Sequence, residues 1–110
     1  MREQPNLFAA IPSLLPEELT QVLADTDGVR IERILSCGQA SAPDFWYQQS
    51  EHEWVLLLSG GAVLQWADGS CQSLAPGDYV FIPAGTRHRV EGTLADEVSL
   101  WLAIFFPAPV

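Results

Sequence analysis

The sequence predicts an all-β fold, an antiparallel sandwich or barrel, from three observations. Short apolar segments rich in Val, Ile, Leu and aromatic residues recur from residue 29 to residue 106. Clusters of glycine, proline and aspartate separate these segments, and no helical pattern lies between them. Apolar residues make up 48% of the 110-residue chain, so one domain of this size can bury a core of its own.

The N-terminal part carries one helical pattern, over residues 14–26. Pro16 suits a first helical position, the two glutamates after it favour the positive end of a helix dipole, and apolar residues recur at helical spacing. Asp27-Gly28 then predicts the end of the helix. We therefore expect an N-terminal extension with one short helix over residues 1–28 and a single β-domain over residues 29–110.

The rest of the chain contains eight candidate strands, bounded by turn residues. The candidates are residues 29–35, 45–49, 53–58, 62–67, 71–74, 79–83, 88–91 and 98–106. Asp68-Gly69 predicts a two-residue hairpin turn, because both central positions of such a turn need positive φ, which glycine adopts freely and aspartate tolerates.

Charge and composition exclude several classes of partner. The net charge is −9, from fourteen carboxylates against five arginines and no lysine, so nucleic acid and anionic membranes are expected to be repelled. The N-terminus lacks a secretory pattern, and the longest apolar run, 100–106, is far below the roughly 18 residues of a membrane helix. We expect a soluble cytoplasmic protein, in which Cys37 and Cys71 are free thiols.

The strongest local motif lies in residues 77–88. Gly77 turns the chain into a strand, Pro83 ends that strand, Gly85 allows a second tight reversal, and His88 opens the returning strand. This spacing resembles the second motif of the cupin superfamily, Gly-x5-Pro-x-Gly-x2-His, at every one of those positions. The asparagine that usually closes the motif is replaced by Gly92.

The first cupin motif is present only in part. This sequence resembles the end of the motif, in which a glutamate is followed by six residues and a glycine; these two are Glu53 and Gly60 here. The two histidines of the motif are replaced by a pair that depends on the spacing chosen: Tyr47 and Gln49, or Trp46 and Gln48. The resemblance covers about residues 29–106 and implies a double-stranded β-helix, the jelly-roll barrel of small cupins, which often dimerise and hold a divalent metal through three histidines and a glutamate.

Only two of those metal ligands have counterparts in this sequence. The resemblance places Glu53 and His88 in one barrel mouth, and Tyr47 and Gln49 share one face if they lie on a strand. We expect Gln49, Glu53 and His88 to form a weak divalent-metal site completed by water. Phe81 is expected to join Tyr47 and these three residues around a small-molecule pocket.

Three functions stay open at this point. A metal held by Glu53 and His88 would make a metal-dependent cupin enzyme of the dioxygenase or isomerase type. The same groups could instead bind a small molecule without metal. In a third alternative, Glu53 and His88 only satisfy each other inside a non-catalytic dimeric barrel.

The flanking residues predict surface features. His52 is expected in a turn that faces solvent, because a one-residue step along a strand reverses its face. Arg87 and Arg89 flank His88, so we expect them at the rim or surface. They could attract an anionic ligand there or pair with Glu91 and Glu51, and we favour the pairing. Residues 54–58 are apolar on both faces, which predicts cover by the barrel interior on one side and by the N-terminal helix or a partner subunit on the other. We therefore expect a homodimer.

Overall fold

A computed structural model describes residues 4–109, which form eight β-strands in two antiparallel sheets and contain no helix. The strands are β1 (Leu19–Thr26), β2 (Val29–Ser36), β3 (Glu51–Ser59), β4 (Ala62–Trp66), β5 (Cys71–Leu74), β6 (Tyr79–Ile82), β7 (His88–Thr93) and β8 (Ser99–Pro107). One sheet has the order β1-β2-β8-β3-β6, and the other has the order β5-β4-β7. The two sheets form the jelly roll predicted from the sequence.

The predicted N-terminal helix is wrong. β1 occupies its place and pairs antiparallel with β2 at the edge of the five-stranded sheet. Asp27 and Gly28 have φ of 52° and 80°, so they form the two-residue hairpin turn between these strands rather than a helix end. Pairing with β2 outweighs the helical spacing because the ladder bonds are made to an existing sheet.

Seven of the eight candidate strands are present, with ends that shift by a few residues. The exception is 45–49, where the backbone makes a single bridge, Tyr47 to His88, and no strand. The turn after β4 lies where it was predicted, but only Gly69 has positive φ (90°). Its N–H donates to Trp66 O (2.9 Å), and the longer loop that results allows Asp68 an ordinary backbone conformation.

The core lies between the two sheets and is apolar at one end. Leu57, Trp101 and Ala103 from the large sheet pack with Leu64 from the small sheet. At the other end, the inner face of β3 begins with Glu53, which is opposite Phe105 of β8. Glu53 therefore brings a charged side chain between the sheets at this end of the barrel, its polar mouth.

The connection from β2 to β3, residues 37–50, crosses this mouth and is bonded to β7. Ser41 N donates to Val90 O (2.9 Å), and Val90 N donates to the Ser41 hydroxyl (3.0 Å). Tyr47 and His88 exchange backbone bonds of 2.7 and 3.0 Å. These bonds fix Tyr47 over the barrel mouth although it is not on a strand.

Two further predictions concern the chain as a whole. Cys37 and Cys71 are free, as expected. Among residues 4–109 there is no helix long and apolar enough to cross a membrane.

Candidate functional site

A cavity of about 170 Å³ lies between the sheets at the polar mouth of the barrel. Four of the five residues predicted for the pocket line it: Tyr47, Gln49, Glu53 and His88. Apolar side chains form most of the remaining walls, including Val55, Ile82, Trp101 and Phe105. The alternative pair from the other motif spacing, Trp46 and Gln48, is not among the lining residues.

Glu53 is the centre of the polar group. Its carboxylate is almost completely buried and accepts a hydrogen bond from the Gln49 amide, Nε2 to Oε1, at 2.8 Å. His88 Nε2 lies 3.6 Å from the same oxygen. The backbone holds Gln49 in place, because Gly85 N donates to its carbonyl oxygen at 2.8 Å. The two cupin-like motifs thus meet in space through Gln49 and Gly85 as well as through Glu53 and His88.

The ring of His88 is oriented from two sides. Its Nδ1 lies 3.0 Å from Thr86 O, to which it donates, so Nε2 is the nitrogen that faces Glu53. Tyr47 stacks on the ring with centroids 5.4 Å apart. Burial alone would lower the pKa of His88, but the bond to Glu53, the bond to Thr86 and the charge of Glu53 together raise it.

Tyr47 and Glu18 form the outer edge of the cavity. Burial and the negative charges of Glu18 and Glu53 raise the pKa of the Tyr47 phenol, so it stays protonated and can donate a hydrogen bond. Burial of the carboxylate also raises the pKa of Glu18, opposed by a bond from the Ser36 hydroxyl at 3.3 Å. The carboxylates of Glu18 and Glu53 therefore both raise the pKa of the same phenol group.

Sequence reasoning missed Glu18 and Glu32, which line the same cavity. For Glu18 the signal was its spacing of two from Thr20, which puts both side chains on one face of an extended chain at the start of β1; the helix prediction obscured it. Glu32 lies on the inner face of β2, where it pairs with Arg30 Nε at 2.7 Å.

Phe81 does not line the cavity, which corrects its assignment to the pocket. It pairs with Trp54 across β6 and β3, whereas its neighbour Ile82 pairs with Glu53 and faces inward. Its ring lies outside the barrel, half exposed, against Phe106 (centroids 6.1 Å apart). Side chains alternate along a strand, so Ile82 and Phe81 cannot both face the cavity.

His52 also lies on this outer face, but within β3 rather than in a turn. Its ring contacts Phe81 and Phe106, each with a centroid distance of 5.3 Å. Its Nδ1 accepts a hydrogen bond from Ala84 N at 2.9 Å. His52 therefore supports the loop after β6 and takes no part in the cavity.

The two arginines beside His88 differ in their surroundings. Arg87 is exposed and lies over the Trp46 ring, 5.3 Å from its centroid, as a rim position predicts. Arg89 is buried, which contradicts the surface prediction. It pairs with Glu91 at 2.6 Å, as predicted, and also donates to Ser41 O at 2.9 Å. Arg89 is buried because the 37–50 connection lies across it.

Arg30, rather than Arg87 or Arg89, pairs with the second carboxylate named from the sequence. Its Nη2 lies 3.2 Å from Glu51 Oε1. Its guanidinium also lies over the ring of Phe105, 4.4 Å from the centroid. Arg30 is therefore held from several directions.

A tightly held metal ion fits this donor set poorly. Across residues 4–109 there is no group of three or more His, Cys, Asp or Glu side chains arranged to hold a metal. One carboxylate and one imidazole converge. The Gln49 side chain directs its N–H group at Glu53, and its amide oxygen, which would have to bind the metal, is not the atom that faces the carboxylate. Transition metals in proteins are usually held by three or four nitrogen, sulfur or carboxylate donors.

Comparison with known proteins gives one family and a set of similar structures. A family model described as "Cupin domain" matches residues 34–105. A crystal structure of a proposed mannose-6-phosphate isomerase from Ralstonia eutropha JMP134 is 42% identical, with a TM-score of 0.92, covering 97% of this chain and 100% of that chain. No curated protein matches the chain.

Two more distant structures support the fold alone. A cupin superfamily protein from Desulfitobacterium hafniense DCB-2 is 23% identical, with a TM-score of 0.78, covering 98% of this chain and 94% of that one. A Cupin 2 conserved barrel domain protein from Salinispora arenicola CNS-205 is 24% identical, with a TM-score of 0.70, covering 98% and 91%. Each of these proteins matches this chain over nearly the whole length of both chains.

Proposed function

Because the chain belongs to the cupin domain family, we propose that it binds a small molecule in the cavity between its sheets. The observation that carries this proposal is the convergence of Tyr47, Gln49, Glu53 and His88 on one cavity with otherwise largely apolar walls. A few polar groups in a mainly apolar concave site are typical of small-molecule pockets.

The polar groups keep free positions for a ligand. Glu53 uses Oε1 for its contacts with Gln49 and His88, and its second oxygen has no partner among the described residues. The Tyr47 hydroxyl also has no hydrogen-bond partner within residues 4–109. An acceptor and a donor are therefore available at the cavity without breaking the contacts that hold Glu53 in place.

A weak divalent-metal site is a second state of the same residues. Gln49, Glu53 and His88 would hold the ion only if the Gln49 amide turned its oxygen inward and water filled the other positions. Elemental analysis of protein purified without an affinity tag tests this state. Stoichiometric metal that is lost in both Glu53→Gln and His88→Ala would favour it over binding without metal.

Sugar isomerase chemistry is a second candidate function, favoured by the 42% identity to the Ralstonia eutropha protein. Glu53 and His88 are one acid and one base on the same cavity, the pair that moving a proton between adjacent carbons needs. The phosphate of a sugar phosphate finds no arginine or lysine among the residues that line the cavity. We therefore rank binding above isomerisation of a phosphorylated sugar.

A ligand screen with matched variants tests the proposal. Calorimetry or thermal shift with a panel of sugars, amines and small acids should give at least one binder, with affinity lost in Glu53→Gln and in His88→Ala. Glu97→Gln removes a charge from an exposed glutamate outside the cavity, so this variant should bind as the wild type does. A binder that the pocket variants hold as tightly as the control does would contradict binding in this cavity.

We also propose that the protein is a homodimer, joined through the outer face of the five-stranded sheet. This face carries a group of apolar and aromatic side chains that are only partly buried: Trp54, Leu56, Tyr79, Phe81, Leu102, Ile104 and Phe106. No charged side chain is in that group, which suits contact between two copies that each carry a net charge of −9.

A further inference from the structure

We propose that the cavity takes a positively charged ligand, a small amine that also carries a hydroxyl or carbonyl oxygen. This inference rests on the proposed function, because it names the class of molecule for the same cavity. It differs from the phosphorylated sugar in the name of the Ralstonia eutropha relative, which would bring negative charge.

The charged residues around the cavity are all acidic apart from His88. Glu18, Glu32 and Glu53 line it, and none of the arginines in residues 4–109 does. The chain has no lysine. An anionic ligand would therefore meet three carboxylates, and the one cationic group that could face it is the imidazole of His88, which is already directed at Glu53.

The four arginines within residues 4–109 all have contacts away from the cavity. Arg30 is held by Glu32 at 2.7 Å and by Glu51 at 3.2 Å. On the outer face of β2, Arg33 donates to the Gln21 side chain (2.7 Å) and to the backbone of residues 7 and 9. Arg89 is buried under the 37–50 connection, and Arg87 lies over the ring of Trp46, which does not line the cavity. None of them is free to receive an anion in the cavity.

Glu18 is the one of the three carboxylates that lacks a cationic neighbour in the described part of the chain. Glu32 has Arg30, and Glu53 has Gln49 and His88. Glu18 has only the Ser36 hydroxyl at 3.3 Å. Glu18 is an exposed residue at the outer edge of the cavity, and partial burial of its carboxylate raises its pKa. An ammonium group bound there would give this carboxylate the cationic partner that it lacks.

The approach to the cavity has the same sign of charge. A neighbouring cavity of about 290 Å³ shares Glu18 and Tyr47 with the first and is also lined by Glu17. A ligand that enters by this route passes two carboxylates before it reaches Glu53. With a net charge of −9 on the chain, the field at this entrance attracts cations and repels anions.

A second and independent feature indicates the oxygen on the ligand. Trp101 is 4% exposed and lines the cavity, and its indole Nε1–H has no acceptor among the described residues. A buried N–H without an acceptor costs about 1–3 kcal/mol. The Nε1 atom is closed to solvent, so the indole must turn for a ligand oxygen to accept its hydrogen bond, and that bond would then be favoured. An ammonium near Glu18 and an oxygen within reach of Trp101 together describe an amino alcohol or amino sugar.

A charge series on one scaffold tests the inference. Glucosamine, glucose and glucose 6-phosphate are titrated into the tag-free protein at low salt, together with ethanolamine and ethylene glycol as a smaller matched pair. We expect each amine to bind about tenfold more tightly than its uncharged partner, the ratio that a ~1.4 kcal/mol interaction gives. Glucose 6-phosphate should bind more weakly than glucose, and added salt should reduce the preference for amines.

Variants distinguish failure of the ligand class from failure of the pocket. Glu18→Gln should bring glucosamine and glucose to equal affinity, whereas Glu97→Gln should leave the tenfold ratio intact. If glucose or its phosphate binds as tightly as glucosamine, and Glu53→Gln abolishes that binding, the ligand class is wrong and the pocket function stands. If no amine binds to the wild type, the inference is overturned, and other binders from the wider screen decide the fate of the pocket.

Discussion

The two faces of β3 show how differently one strand can be used. Its inner face places Glu53, Val55 and Leu57 between the sheets, where all three are buried. Its outer face presents Trp54 and Leu56 to the exterior, where both are only partly covered. The buried face carries the charge and the exposed face is apolar, the reverse of an ordinary surface strand.

This reversal separates two requirements. The inner carboxylate is tolerated because Gln49 and His88 satisfy it, so its burial serves the cavity. The outer apolar residues are only partly covered by the described chain, so their side of the strand calls for a partner. The inner face should therefore govern folding and binding, and the outer face should govern assembly.

The largest expected effect is on the inner face, at Leu57. Leu57 is fully buried (0% exposed), so Leu57→Ala should lower the free energy of unfolding by about 2–5 kcal/mol. Leu56→Ala removes the same atoms one residue away on the partly exposed face, and should cost clearly less. Urea unfolding of both variants, each at one protein concentration, measures the difference, and equal losses would break the contrast between the faces.

The polar end of the inner face comes next. Glu53→Gln removes the charge beside His88 and sets an amide against the Gln49 amide, so unfolding should become easier by about 1–3 kcal/mol. The effect should depend on pH. The pKa of His88 is raised in the fold, so His88 contributes to the free energy of unfolding. This contribution is complete below pH 6.5, the ordinary pKa of histidine, and is lost as pH rises through the raised pKa.

Unfolding curves across this pH range check both parts of that prediction. The wild type and Glu97→Gln should lose stability on going from about pH 6 to pH 8, where histidine titrates. Glu53→Gln should lose less, because the imidazolium has no carboxylate to face. If the stability of Glu53→Gln changed with pH as steeply as that of the wild type, the pH dependence would not come from the contact between His88 and Glu53.

How much of this could be predicted from the sequence differs between the two faces. Glu53 and His88 were found because their spacing from glycines and a proline resembles the two cupin motifs, and such turn residues constrain the backbone locally. Phe81 was placed in the pocket although strand alternation beside Ile82 forbids it; the register that decides this comes from pairing with β3, which the sequence does not state.

The N-terminal error has a similar cause. In residues 14–26 the apolar spacing fits a helix, and only the partner strand β2 makes a strand the better solution. Glu18 was lost from the candidate site as a direct consequence. The buried pairing of Arg89 was also beyond local reasoning, because the 37–50 connection that covers it is distant in sequence.

The outer face is tested by a charge placed within it. Phe81→Glu adds a carboxylate to the apolar group, so we expect the dimer to dissociate at least about tenfold more readily, a change of ~1.4 kcal/mol. Leu14→Glu changes another exposed apolar residue, outside that sheet face, and should leave the assembly unchanged. Light scattering over a dilution series measures both, and a wild type that is monomeric throughout would contradict the proposed dimer.

The smallest expected effect is at Glu18 and has the opposite sign. The pKa of Glu18 is raised, which means that the fold favours its neutral carboxyl group. The contribution of this group to the free energy of unfolding is complete below pH 4.5, its ordinary pKa, and is lost as pH rises through the raised pKa. Glu18→Gln mimics the neutral form and should stabilise the protein at neutral pH, by less than about 1 kcal/mol because water still reaches the residue.

That gain should disappear near pH 4, where the wild-type carboxyl group is protonated as well. Glu97→Gln, which removes an exposed carboxylate outside the cavity, is the matched control. A group that weakens the fold while it lines the cavity fits a role in binding, because stability and binding compete at such positions. A Glu18→Gln protein that is less stable than the wild type at every pH would instead give the carboxylate a structural role with Ser36, and the amine inference would lose its main contact.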